Sequence, residues 1–141
     1  MFYQVDVPDT PIPLKRARVS NSRFYDPQHG AKALYAAYVM NNLQPQLTET
    51  LTVPLSVTFH FIFPTAKSWT AKRTKAALGK PHVGKIDIDN LIKFFFDTMN
   101  GILWEDDRQI WRVAATKTWG ISGNTSVLIG IDDKSNPLPI M

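Results

Sequence analysis

The chain has 141 residues, of which 44% are hydrophobic and 20% charged, with no cysteine and a formal net charge of +4. This length and composition predict one globular domain over residues 1–141, and the lack of cysteine excludes disulfides and thiolate metal sites and fits a cytoplasmic protein. Because the first ten residues carry Asp6 and Asp9 and no stretch of 18 apolar residues occurs, we expect neither a signal peptide nor a membrane span.

The N-terminal region is predicted to contain one strand followed by loops. Residues 2–7 alternate apolar and polar side chains, which is typical of a strand. Two prolines interrupt the pattern, and residues 21–30 are rich in loop-forming types such as Asn, Asp, Pro and Gly. Between them lies a basic loop with the cationic residues Lys15, Arg16 and Arg18.

The central region is predicted to contain a helix and the clearest strand. Residues 31–43 are rich in helix-favouring Ala, Leu and Met, and Leu34, Tyr38 and Leu43 share one side of this helix. Residues 55–63 alternate, with polar side chains on one face. The apolar face of this strand carries Leu55, Val57, Phe59, Phe61 and Phe63.

The C-terminal region is predicted to contain two helices and two strands. Residues 70–78 suit a short helix, and residues 91–99 suit a second one that Asp89 caps and Asn100-Gly101 ends. Two strands follow, over residues 109–119 and 126–131, joined by a turn at residues 122–124. The predicted fold class is therefore α+β, a single domain in which two main helices pack on a mixed β-sheet.

The tail after Asp132 contains Pro137 and Pro139. We expect it to fray or to dock on the domain as an arm.

Half of the carboxylates lie in one stretch of 21 residues, Asp87 to Asp107, which holds six of the 12 Asp and Glu residues. Residues 67–85 contain six Lys and Arg and no acid. Clustered carboxylates repel one another unless a cation sits between them, and the hard cation that suits them is Mg²⁺. Because basic surroundings attract a polyanion, the combination predicts metal-assisted phosphodiester chemistry on nucleic acid.

Asp87 and Asp89 are predicted to face one metal ion, because residues two apart in an extended chain point the same way. Taken alone, Asp89 is also explained as a helix cap. Lys93 and Asp97 follow at one-turn intervals on the same helix face, a spacing that also describes a plain surface ion-pair ladder. The rest of this helix is apolar, so we expect its polar face to open onto a cleft; the apolar residues are Leu91, Ile92, Phe94, Phe95, Phe96 and Met99.

The triplet Glu105-Asp106-Asp107 follows a hairpin-like connection that is predicted to return the chain beside Asp87 and to supply a third ligand. In an extended chain Glu105 and Asp107 share a side while Asp106 points away. We therefore expect Asp107 to be the ligand and Asp106 either to cap the turn or to support the ligands without contacting the metal. Taken alone, an acidic triplet is usually a solvated turn.

The motifs DIDNLIK and NGILWEDDRQI resemble the RusA-type Holliday junction resolvases. The match is strong from Lys85 to about Gln109 and looser in the N-terminal Pro-x-Pro-x-Lys-Arg-x-Arg and Phe-Tyr-Asp-Pro segments. The chain departs from the best-known pattern at Ala17, where Pro often interrupts the basic cluster, and at Lys85, where Arg can stand.

The resemblance implies a small homodimeric, Mg²⁺-dependent endonuclease, often from phages or prophages, that nicks four-way DNA junctions symmetrically in a bacterial or phage-infected cell. It also implies metal-binding roles for Asp87, Asp89 and Asp107 and a catalytic role for Lys93. We expect Mn²⁺ to substitute for Mg²⁺. Two-fold symmetry suits paired nicks, and the 16 aromatic residues favour an apolar dimer interface.

The favoured interpretation is thus a structure-selective endonuclease that resolves Holliday junctions in DNA recombination and repair. Two alternatives stay open: a non-catalytic nucleic-acid-binding module and a Mg²⁺-dependent phosphotransferase, although the latter lacks a phosphate-cradling glycine loop. In the basic stretch, His82 could reach phosphate, and Trp69 is a candidate for base stacking. Phosphates of the DNA arms are expected to contact Lys15, Arg16, Arg18, Lys72, Arg73, Lys75, Lys80 and Lys85.

Overall fold

The structure is a computed structural model that describes residues 1–21 and 23–131. The tail that was predicted to fray or to dock as an arm lies outside the described residues. In chain order the elements are β1 (Phe2–Pro8), β2 (Arg18–Ser20), β3 (Arg23–Tyr25), α1 (His29–Asn42), β4 (Leu55–Pro64), α2 (Ala71–Ala77), α3 (Ile88–Met99), a 3₁₀ turn (Asp107–Gln109), β5 (Ile110–Gly120) and β6 (Asn124–Ile131).

Four of the strands form a mixed sheet with the order β1-β6-β4-β5. The β1–β6 and β6–β4 pairs are antiparallel, whereas β4 and β5 are parallel. Parallel neighbours need a crossover connection, and here the crossover carries α2 and α3. β2 and β3 form a separate two-stranded ribbon. The predicted α+β class with a mixed sheet is confirmed.

The core lies between one face of the sheet and the helices α1 and α3. The alternation predicted for β4 is confirmed, because all five of its apolar-face residues are buried. From α3 the core receives Leu91, Phe95 and Met99, and Trp104 lies completely buried behind the end of this helix. The Phe95 ring packs edge-on against Phe59 of β4, with 5.3 Å between ring centroids.

The predicted helix at residues 31–43 is confirmed, but the side chosen for it is not the buried one. Leu34 is 77% exposed and Tyr38 is also exposed, whereas Ala36 and Val39 are buried. Of the three residues predicted to share the side only Leu43 is buried, and it lies just past the end of α1. Tyr35 of α1 packs edge-on against the Phe94 ring, with 5.2 Å between the ring centroids. Because the apolar residues of α1 are distributed around the whole helix, its sequence pattern did not single out one buried face.

The ribbon β2–β3 lies where the sequence predicted only loops. Its two strands have three residues each and contain Arg and Ser, so they carry no alternating apolar signal. Elsewhere the predicted strands and the short helix at residues 70–78 agree with the structure to within two residues at each end. Among the described residues, no helix is both long and apolar enough to cross a membrane.

Candidate metal centre and nucleic-acid interface

Two carboxylates lie at the N-terminal end of α3. Asp87 occupies the N-cap position and Asp89 lies in the first helical turn, and both are exposed. The prediction that Asp89 caps the helix is wrong by two residues, because the helix begins at Ile88. The pair therefore sits on a helix start rather than on extended chain. The positive end of the helix dipole favours carboxylates at this position.

Lys93 lies one helical turn beyond Asp89, with its Nζ 3.5 Å from Asp89 Oδ2. Both side chains are more than half exposed, so this ion pair contributes little to stability. It does keep an ammonium group beside the Asp89 carboxylate. A cation in this position can reach an anion that approaches the end of α3.

Asp97 does not continue the predicted ladder. It pairs with Lys32 of α1 at 2.8 Å, and Lys32 also contacts Asp26 at 2.7 Å. Burial opposes the charged form of Lys32, but hydrogen bonds to the two carboxylates outweigh it and raise the pKa of Lys32. The hydrogen bond from Lys32 likewise lowers the pKa of Asp26. Asp97 therefore joins α3 to α1 and does not belong to the candidate metal centre.

The acidic triplet is not a continuous extended strand, because Asp106 precedes a 3₁₀ turn that begins at Asp107. Asp106 is its N-cap: Asp106 Oδ1 accepts a hydrogen bond from the Arg108 amide at 2.9 Å, and Gln109 Oε1 accepts one from the Asp106 amide at 2.9 Å. This reciprocal arrangement is a capping box. The predicted turn-capping role of Asp106 is confirmed, although the strand register used to derive it is wrong.

Asp107 is held by a residue that the sequence identified only as a helix end. Asn100 Nδ2 donates to Asp107 Oδ2 at 3.2 Å, while Trp104 Nε1 donates to Asn100 Oδ1 at 2.8 Å. The Trp104 bond fixes which way the Asn100 amide points. The spacing of Asn100, Trp104 and Asp107 within the NGILWEDD motif was a signal for this relay, because it places an amide and an indole N–H just ahead of the acid.

Asp107 and the Asp87–Asp89 pair lie at opposite ends of α3. Asn100, which holds Asp107, is the C-cap of the helix and Asp87 is its N-cap. A rise of 1.5 Å per residue separates these caps by roughly 20 Å, which carboxylate side chains cannot close. The prediction that the chain returns beside Asp87 is therefore wrong. Within residues 1–21 and 23–131, no three metal-binding side chains converge on one point.

A second contact supports this separation. Lys117 Nζ donates to the carbonyl of Ile86, just before Asp87. Lys117 lies seven residues beyond Ile110 along β5. Because a strand rises about 3.3 Å per residue, Ile110 and Lys117 are roughly 23 Å apart. Asp107 immediately precedes the start of β5, and Asp87 lies near its far end.

The donors at the start of α3 nevertheless suit Mg²⁺. This ion is usually bound through one or two carboxylates, with waters and substrate phosphate completing its shell. Asp87 and Asp89 provide two carboxylates at one exposed helix end. A third protein ligand from the same chain is not required.

The predicted DNA-binding residues lie in exposed segments. α2 has no buried residue among Ala71–Ala77, and the Thr70 hydroxyl caps it by accepting from the Arg73 amide at 3.1 Å. The Arg73 guanidinium lies 4.0 Å from the centre of the Trp69 ring. Trp69 therefore supports Arg73 instead of presenting a bare face to a base. The other predicted DNA contacts are exposed as well: Lys15, Arg16, Arg18, Lys72, Lys75, Lys80 and Lys85.

The expectation that His82 could reach phosphate is wrong. Its side chain is buried between Phe63 and Trp119, with ring centroids 4.4 and 4.2 Å away. Burial, together with the charge of Lys117, lowers the pKa of His82. His82 Nδ1 accepts a hydrogen bond from the Gly84 amide at 3.2 Å, so the ring is neutral in this arrangement.

A family model described as Endodeoxyribonuclease RusA matches residues 8–130 of the chain. No curated protein matches it. The matched segment includes α3, the acidic turn, the ribbon and α2.

Proposed function

This chain belongs to the RusA endodeoxyribonuclease family, and we propose that it is a Mg²⁺-dependent endonuclease that resolves Holliday junctions by paired symmetric nicks. The observation that supports this proposal best is the start of α3, where Asp87, Asp89 and Lys93 form one exposed group. We expect the enzyme to act in DNA recombination and repair, in the cytoplasm of a bacterial or phage-infected cell.

Each residue of the candidate centre has a distinct role in the proposed reaction. Asp87, Asp89 and Asp107 would hold Mg²⁺, or Mn²⁺ in its place. When bound, the metal would activate water and stabilise the negative charge that develops at phosphorus. Lys93 would contact a non-bridging oxygen of the scissile phosphate and stabilise the same charge. Asp89 keeps the Lys93 ammonium at this position through their ion pair.

We propose that the enzyme is a homodimer with active sites shared between its chains. Asp107 lies too far from Asp87 to bind the same ion within one chain. A two-fold axis at the middle of α3 makes the α3 helices of the two chains antiparallel neighbours. The C-terminal end of α3 in one chain then lies beside its N-terminal end in the other, which brings Asp107 of one chain towards Asp87 and Asp89 of the other. Exposed apolar side chains on β5, Trp111 and Val113, offer contact surface between these ends.

The basic segments would bind the DNA arms without reading much sequence. α2, the loop to Lys85 and the cluster at Lys15 carry their charges in exposed positions. Contacts of this kind fix position and orientation on DNA, whereas base contacts give sequence specificity.

The direct test is nicking of a synthetic four-way junction with Mg²⁺ or EDTA. We expect paired nicks only with Mg²⁺, and we expect Asp87→Asn and Asp89→Asn to lose nicking while junction binding survives. In EDTA the two variants should melt close to wild type, because the like-charge repulsion that each removes offsets the favourable helix-dipole interaction that each loses. Junction binding by wild type without cleavage in Mg²⁺ would favour a non-catalytic nucleic-acid-binding module.

A further inference from the structure

The ribbon β2–β3 has two chemically different sides. Cross-strand partners in an antiparallel pair lie on the same side, and successive pairs alternate. Val19 and Phe24 are partners on one side, and they are 60% and 81% exposed. The other side carries two cationic pairs, Arg18 with Tyr25 and Ser20 with Arg23. An exposed apolar pair on one side of the ribbon is thus flanked along both strands by arginines that project from the other side.

The charge around the ribbon favours a polyanionic partner. Residues 10–25 contain Lys15, Arg16, Arg18 and Arg23 and no acid. A second copy of the same ribbon would bring like charges together, which is unfavourable. DNA offers both phosphates for the cations and flat apolar surfaces for an aromatic ring.

The base of the ribbon is fixed beside the candidate metal centre. The Leu14 amide donates to the carbonyl of Asn90, the residue after Asp89, at 2.9 Å. Gln28 is buried and holds the segment just before the ribbon: its Nε2 donates to the Pro13 carbonyl and its Oε1 accepts from the Lys15 amide, both at 2.8 Å. The ribbon is therefore rooted at the end of α3 where Asp89 lies.

We propose that this ribbon inserts Phe24, supported by Val19, between bases at the branch point of the junction. Arg18 and Arg23 contact the flanking phosphates. The inference rests on the proposed function and specifies how that function selects its substrate. Insertion into a continuous duplex costs unstacking energy, whereas bases at a branch point are already less constrained. The ribbon would therefore favour junctions over linear DNA and hold the branch point near Asp87 and Asp89.

The test compares Phe24→Ala with the matched variant Leu34→Ala, which removes a similarly exposed apolar side chain from α1. Binding is measured to a four-way junction and to a linear duplex of the same length, with 2-aminopurine at the branch point to report unstacking. Wild type should brighten the probe. Phe24→Ala should lose this signal and bind the junction about tenfold more weakly, with duplex affinity unchanged. Phe24→Trp should restore both, and Leu34→Ala should change neither.

Two outcomes separate the inference from the proposed nuclease function. If Phe24→Ala keeps the junction preference and the probe signal while wild type nicks junctions, the ribbon does not insert and only the inference fails. If wild type brightens the probe through Phe24 but never nicks, the inference stands and the nuclease assignment fails. Because both substituted side chains are exposed, we expect the variants to melt at the wild-type temperature. Melting curves will check that both variants are folded.

Discussion

Neighbouring carboxylates in this protein have different tasks because their backbone positions differ. Asp106 accepts a hydrogen bond from the Arg108 amide and thereby starts the 3₁₀ turn. Asp107, the next residue, directs its carboxylate to the Asn100 amide. Asn100 is itself oriented by buried Trp104. The chain thus positions Asp107 through side chains and uses Asp106 to shape the backbone.

This division predicts opposite results for the two aspartates. Asp107→Asn should eliminate Mg²⁺-dependent nicking, because it removes a proposed metal ligand. Asp106→Asn should keep most activity, because Asn caps a helix start nearly as well as Asp. Nicking assays and melting curves on both variants decide the question. Loss of activity in Asp106→Asn with activity retained in Asp107→Asn would assign the ligand role to Asp106.

At the scale of elements, α2 is a short exposed helix that carries cationic side chains. Helices this short are marginal on their own, and this one has no buried side chain. It is held by the Thr70 cap and by the next residues of the chain, since the Gly79 amide donates to the Trp119 carbonyl at 2.9 Å. The backbone that carries its cations is therefore held in place at the surface.

Removing two charges from α2 should weaken binding to every DNA. The double variant Lys72→Gln with Arg73→Gln should lower the magnitude of the log–log salt slope by roughly 1.8, at about 0.9 per lost phosphate contact. A matched control lowers net charge equally at exposed positions at and just after the end of α1, with Asn41→Asp and Gln44→Glu. If the control changes the slope as much, overall charge rather than α2 binds the phosphates.

The segment before α3 gives the fold a dependence on pH. His82 is packed against the end of β5 and accepts from Gly84 only while neutral. Its pKa is lowered in the folded state, so the unfolded chain binds the proton more tightly. Stability should thus be full above about pH 6.5, the usual histidine pKa, and fall as the pH drops below it. His82→Asn keeps an acceptor near Nδ1 without titrating, so the decrease in melting temperature from pH 7 to 5 should shrink. An unchanged decrease would assign it to other groups.

At the scale of the whole molecule, the positions of the acids make the proposed active site depend on assembly. The start of α3 carries two of them, and the third lies beyond the other end of the helix. In the proposed centre of three acids, one chain therefore supplies only part of each site. A symmetric dimer would complete both at once and would supply the two cutting centres that paired nicks need.

Mixed dimers test this arrangement. A dimer of one Asp87→Asn chain and one Asp107→Asn chain should collect both lesions in one shared site and leave the other intact. Co-refolding the two inactive variants should therefore restore nicking, in one strand only. Each variant refolded alone serves as the control. A mixture as inactive as its components would show that each metal centre is built within a single chain.

The sequence by itself determined the local structure and the identity of the chemical groups. The alternation of β4 follows from one buried face, and the helix at α3 follows from its dense apolar residues. The motifs around Asp87, Asp89 and Lys93 likewise indicated the family, because these residues are close in sequence. Such features depend on periodicity and capping, which short stretches of chain encode.

Only the tertiary structure decided which distant groups meet. Asp97 pairs with Lys32, His82 is buried, and β2 and β3 pair as a separate ribbon. Asp107 lies at the opposite end of α3 from Asp87. Sequence spacing gives the length of a connection but not its direction in space. That direction is set by packing, because buried Trp104 fixes the chain behind the far end of α3. The acidic turn must start from there, whatever charge its residues carry.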